Sequence, residues 1–186
     1  MNKLKLNELE LNELELKIFT EQDALDYCQI NNINLEEVIE LNLHSNILTD
    51  ISGVKLFKNL KELNLSYNRE LTDISVIQYL KNLKELNLHN NKIKNISVLK
   101  NLIKLKILDI SSNPIKNISV IQYLTELKIL DIGYLELKSD QIQYINSLNN
   151  LEELWCDYGF KDMDITDKLN KNIEIRLEDL DIKINQ

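Results

Sequence analysis

Residues 74–95 read Ile-Ser-Val-Ile-Gln-Tyr-Leu-Lys-Asn-Leu-Lys-Glu-Leu-Asn-Leu-His-Asn-Asn-Lys-Ile-Lys-Asn, and at Ile96 the same pattern begins again. The apolar positions Ile74, Ile77, Leu80, Leu83, Leu86, Leu88 and Ile93 recur as Ile96, Leu99, Leu102, Leu105, Leu108, Ile110 and Ile115. Asn91 recurs as Asn113. A fixed period of this kind specifies a solenoid, in which each coil buries its apolar side against its neighbours. Such a molecule works by binding along an extended surface.

Outward from this stretch, six cores begin at Val38, Leu60, Leu83, Leu105, Leu127 and Leu151. The second is lengthened at Arg69-Glu70, and the interval before Leu151 is lengthened around Ser139-Asp140-Gln141, where a longer helix is expected. The expected organisation is an N-terminal cap over 1–37, repeats over 38–161 and a C-terminal cap over 162–186. In the first cap Leu-Asn-Glu-Leu-Glu occurs at 6–10 and again at 11–15, which suits an edge strand or a degenerate coil. Thr20-Glu-Gln-Asp then reads as a helix start, with Ala24, Leu25, Cys28 and Ile30 on its apolar face. At the other end Ile173, Ile175 and Leu177 alternate as a strand does, and Leu180, Ile182 and Ile184 repeat the pattern.

Within each period two polar signatures recur. Asn46, Asn68, Asn91 and Asn113 stand where a buried amide would satisfy turn backbone, and Leu135 and Gly159 replace it later. The neighbouring Asn90 reads as exposed and dispensable. Asp50-Ile51-Ser52, Asp73-Ile74-Ser75, Asn95-Ile96-Ser97 and Asn117-Ile118-Ser119 predict a capped turn of 3₁₀ or α-helix that packs Ile77, Leu99 or Ile121 inward.

With 186 residues, 44% hydrophobic, only 3 glycines and 1 proline, the chain has no evident flexible linker. Its net charge of −8 argues against nucleic acid or an anionic membrane as main partner. The opening Met-Asn-Lys-Leu-Lys-Leu-Asn-Glu places charge where a secretory signal has its apolar core. The two cysteines, Cys28 and Cys156, fall far apart, with Cys156 at an inward strand position. These features lead to the expectation of a monomeric, cytoplasmic protein.

The 22-residue period, with Leu48 to Ser52 and Leu71 to Ser75 as its turn, resembles the short leucine-rich repeat class. That class includes the regulatory subunit of type-1 protein phosphatase and the bacterial internalins. The resemblance covers roughly Leu35 to Leu154. It implies an α/β solenoid, a right-handed superhelix with a concave parallel β-sheet and convex short helices or 3₁₀ turns. It also implies a protein that binds other proteins on its concave face and is not an enzyme. Internalins usually carry Pro where this chain has Gly53, Val76, Val98 and Val120, and they carry export signals. The intracellular branch is therefore the better analogue.

Leucines of each strand point in, so the third, fifth, seventh and eighth positions are expected to face out as ladders. The third gives Glu40, Glu62, Glu85, Ile107, Ile129 and Glu153. The fifth gives Asn42, Asn64, Asn87, Asp109, Asp131 and Trp155. The seventh gives His44, Ser66, His89, Ser111, Gly133 and Asp157, and the eighth runs from Ser45 and Tyr67 to Tyr134 and Tyr158. An apolar and aromatic patch ringed by carboxylates emerges: Ile107, Asp109, Ile129, Asp131, Tyr134, Trp155, Asp157 and Tyr158. It suits a protein partner with basic and apolar surface. The bland alternative is that the C-terminal cap covers it.

His44 and His89 lie two rungs apart, too far to share one metal, and no third group is evident to orient a Ser/His pair. No catalytic residue, metal or cofactor is expected. Two further readings remain: an exported, internalin-like adhesion domain, and a structural solenoid segment of a larger assembly.

Overall fold

The computed structural model describes residues 4–6, 18–157, 169 and 173–177. Among the described residues, eight strands form one parallel sheet in sequence order: β1 (Leu4–Leu6), β2 (Val38–Asn42), β3 (Glu62–Asn64), β4 (Glu85–Asn87), β5 (Ile107–Asp109), β6 (Ile129–Asp131), β7 (Glu153–Cys156) and β8 (Glu174–Leu177). Between strands the chain crosses back through 3₁₀ turns at Ser52–Leu56, Ser75–Tyr79, Ser97–Asn101 and Ser119–Tyr123. The longer return before β7 holds a 3₁₀ turn, Ser139–Gln141, followed by the helix α2 (Ile142–Asn146), as the inserted residues predict.

Register follows the period. Glu40, Glu62, Glu85, Ile107, Ile129 and Glu153 pair in succession, and so do Asn42, Asn64, Asn87, Asp109, Asp131 and Trp155. Every inward position of the repeat, from Val38 to Leu154, lies in one continuous core. The turn signature works as an Asx turn. Asp50, Asp73, Asn95 and Asn117 each accept the amide N–H two residues on, at 2.7–2.9 Å. Ile77, Leu99 and Ile121 are fully buried behind these turns.

The asparagine ladder closes the opposite turn. Asn68 Nδ2 donates to Leu43 O and Leu65 O, and its Oδ1 accepts from Asn46 N and Leu48 N. Asn113 likewise bonds Leu88 O, Ile110 O, Ser111 O and Ile93 N. Asn91 keeps its three donor bonds, but its Oδ1 is buried with no partner. The inserted residue at Arg69-Glu70 is the cause. Leu71 N–H, which should reach Asn91, donates instead to Asn68 O at 2.7 Å. Asn46, at the first coil, is only half-buried and bonds His44 O.

The helix α1 (Glu21–Ile30) starts in a capping box between Thr20 and Asp23. Ala24 and Cys28 are its buried residues, whereas Leu25 and Ile30 are exposed, contrary to the expected apolar face. The helix meets the core along a narrower line, backed among the described residues mainly by the 3₁₀ turn at Ser52–Leu56. Gly53 makes that contact possible: its N–H donates to Phe19 O at 2.7 Å, and a Cβ there would meet Phe19 O at 2.9 Å and Thr20 O closer still. The expected strand at Ile173 to Leu177 is present as β8, and the one at Leu180 to Ile184 lies outside the described residues.

Candidate protein-docking face

The open face of the sheet displays the third and fifth positions of each strand. At its N-terminal end a groove of about 260 Å³ is lined by Glu40, Glu62, Glu85, their neighbouring asparagines, Ile107 and Asp109. Ile107 and Ile129, half-buried on adjacent rungs, follow where the earlier coils carry glutamate.

The fifth-position side chains also serve their own turns. Asn42, Asn64, Asn87, Asp109 and Asp131 each accept the N–H of the residue two further on, at 2.9–3.1 Å. Part of the acceptor capacity of Asp109 and Asp131 is therefore used inside the chain. Three earlier coils do the same work with a neutral amide, so the turn does not require the two negative charges. Burial pushes the Asp109 carboxyl above the usual aspartate range; its hydrogen bonds to Ser111 and the nearby His89 pull the other way.

The seventh position departs from expectation. Ser66 and Ser111 are buried rather than displayed, because each hydroxyl turns back to bond the fifth-position side chain. His44 Nδ1 lies 2.7 Å from Ser66 Oγ, and His89 Nδ1 lies 2.7 Å from Ser111 Oγ. The Ser66 hydroxyl proton is directed to Asn64 Oδ1, so the imidazole of His44 donates to Ser66 Oγ from Nδ1. Tyr67 sits between the two histidines, edge-on to both, with centroids 5.1 and 4.9 Å away.

His89, Ser111 and Asp109 thus form a hydrogen-bonded trio that sequence reading missed. The 22-residue spacing of His89 and Ser111 was its only signal. It is wired unlike a nucleophilic triad: the carboxylate holds the hydroxyl rather than the imidazole, and the hydroxyl is buried. Among the described residues no group of three or more His, Cys, Asp or Glu is placed to hold a metal ion.

At the far end, Trp155 is half-buried beside Asp131. β8 adds one more rung, which sets Arg176 opposite Trp155. The Arg176 guanidinium lies 5.2 Å from the ring centroid, and its Nε is 3.2 Å from Glu153 Oε2. Trp155 is thus partly covered from within the chain. Tyr134 is exposed at the rim, and its N–H donates to Asp157 Oδ2 at 2.7 Å. Tyr158 lies outside the described residues. Ile107, Asp109, Ile129, Asp131 and Trp155 share one face; Tyr134 and Asp157 border it at the strand ends.

The family pattern described as "Leucine Rich repeats (2 copies)" matches residues 58–101 and 81–123. Residues 58–123 of the chain are leucine-rich repeats. Its fold is similar to that of internalin C2 from Listeria monocytogenes, with 26% identity, a TM-score of 0.63, and coverage of 82% of this chain and 59% of the other. Internalin F of the same organism gives 26%, 0.59, 80% and 45% in the same order. A leucine-rich repeat protein of Leptospira interrogans gives 26%, 0.61, 95% and 40%. The chain therefore spans about half the length of these structures. No curated protein matches its sequence. Leucine-rich repeat domains typically serve protein–protein interaction and are usually non-catalytic.

Proposed function

We propose that this leucine-rich repeat chain is a non-enzymatic docking module whose open sheet face receives a protein partner bringing Lys or Arg around an apolar centre. The observation that carries this reading is Ile107 and Ile129, side by side on the sheet face and only half-buried. A soluble solenoid gains nothing by displaying them, and apolar anchors at the centre of a patch carry much of a binding energy. Asp109 and Asp131 stand on the same two rungs, each in a role that a neutral asparagine fills in the earlier coils. We place the protein in a reducing compartment, a reading supported by its two free and buried cysteines.

Ile129→Glu restores the residue type that Glu40, Glu62 and Glu85 hold on the same ladder, so the fold should tolerate it. Proteins captured by the wild type from native lysate should bind this variant more weakly by at least about tenfold, or about 1.4 kcal/mol. Thermal stability should stay unchanged. An unaltered set of captured proteins at unaltered affinity would sink the proposal.

A further inference from the structure

The net charge of −8 hides a separation of charge across the molecule. The residue preceding each sheet ladder is lysine in four consecutive coils: Lys61, Lys84, Lys106 and Lys128. Their backbones are hydrogen-bonded in sequence, Lys84 N to Lys61 O, Lys106 N to Lys84 O and Lys128 N to Lys106 O, at 2.7–2.8 Å. Lys58, Lys81 and Lys104 stand in the loops just before them. Among the described residues Lys128 pairs with Glu152, whereas Lys58, Lys81, Lys84 and Lys106 have no carboxylate partner. One edge of the solenoid is therefore a lysine strip beside an acidic sheet face.

The same side displays its own apolar anchors. Tyr79, Ile103 and Tyr123 come from three successive coils, and each is more than half exposed, at 57%, 57% and 54%. Tyr79 forms a wall of a cleft of about 610 Å³ whose other lining includes Lys55, Leu56, Lys58 and Lys81. An aromatic anchor beside Lys58 and Lys81, unpaired among the described residues, with Lys55 held by Glu21, is the sheet-face arrangement with its charges reversed.

We propose that this edge is a second docking surface, and that its occupant is an acidic protein segment with Asp or Glu clustered around an apolar residue. A short segment feels mainly the lysines within a screening length of about 8 Å. A long polyanion or an anionic membrane would also meet the negative field of the rest of the molecule. The cleft at Tyr79 is a discrete recess suited to one side chain rather than to a lipid plane. With the sheet face selecting a basic partner, the two surfaces would join proteins of opposite charge; the edge does not depend on the sheet-face reading.

The probe is a fluorescently labelled oligoglutamate peptide, titrated against the whole chain at about 0.15 M ionic strength, where the screening length of about 8 Å applies. Binding should weaken by at least about tenfold in the combined variant Lys58→Gln, Lys81→Gln, Lys104→Gln, which keeps chain length and removes only charge. Tyr79→Ala should weaken binding of the same peptide carrying a central phenylalanine, and Ile129→Glu should leave both unchanged. Oligolysine binding reports the sheet face separately, so failure of one surface is read apart from the other. No measurable oligoglutamate binding, or equal affinity in the triple variant, overturns the proposal. So does lysine-dependent binding of phosphatidylserine vesicles without peptide binding.

Discussion

A single asparagine side chain does the work of closing a turn in this molecule, and the three buried copies are unequal. Asn113 uses both ends of its amide, whereas Asn91 leaves Oδ1 without a partner because of the insertion one coil earlier. Asn113→Ala should cost on the order of 1–3 kcal/mol, and Asn91→Ala should cost less, because less bonding is lost. Thermal or urea unfolding of the two variants checks the order. Asn90, which reads as dispensable in sequence, has φ 55°, in the left-handed region. Asn90→Ala should therefore cost about 1 kcal/mol and Asn90→Gly close to nothing, because alanine keeps the Cβ crowding of this region without the local hydrogen bonding of an asparagine side chain, and glycine has no Cβ.

Asp109 carries a pH signature. Burial raises its carboxyl in the folded chain above the usual aspartate value, so the folded state holds this proton to higher pH than the unfolded state. The group then favours folding when protonated. Its contribution falls as pH rises from the ordinary aspartate range through the raised value. Asp109→Asn should remove that fall: the variant should be the more stable protein at neutral pH and the equal of wild type in acid. Denaturant melts across this window test the sign.

Among the elements, α1 is attached through one glycine. Later coils carry valine at the position of Gly53, in Val76, Val98 and Val120; the turns of Val76 and Val98 pack on neighbouring 3₁₀ turns rather than under α1. At Gly53 a branched side chain would collide with the carbonyls of Phe19 and Thr20. Gly53→Val should detach α1 while the coils beyond β3 stay folded. Limited proteolysis should then cut between Phe19 and Asn34 before any site in the repeats; a protected α1 would show that the contact relaxes cheaply.

For the whole molecule, each coil packs mainly on the coils before and after it, so stability is a sum of neighbour terms. Amide exchange should be slowest in β4 and β5, which have two full coils on either side, and should quicken toward β1 and β8. Uniform protection from end to end would mean that the solenoid opens as one cooperative unit. The repeating geometry also gathers like residues into surfaces. Lysines in successive coils fall on one edge and carboxylates on the adjoining face, so a chain of modest net charge acquires two faces of opposite sign.

Much of this was determined by the sequence alone, because a period of 22 residues makes the neighbour of any side chain its counterpart in the next coil. The strand register, the inward leucines, the buried amides and the Ile107–Ile129 pair all follow from that translation. What only the tertiary structure decided lies where contacts break the translation. The insertion at Arg69-Glu70 redirected Leu71 N–H and orphaned Asn91 Oδ1. Ser66 and Ser111, placed outward by alternation, turned in because hydroxyls find a closer acceptor in the fifth-position oxygen than in solvent. Arg176 came to lie over Trp155 only because β8 extended the sheet by one more rung, after a stretch of chain in which the repeat period fails. Periodicity fixes which residues stack, whereas hydrogen-bond competition and the aperiodic ends decide which of them remain open to a partner.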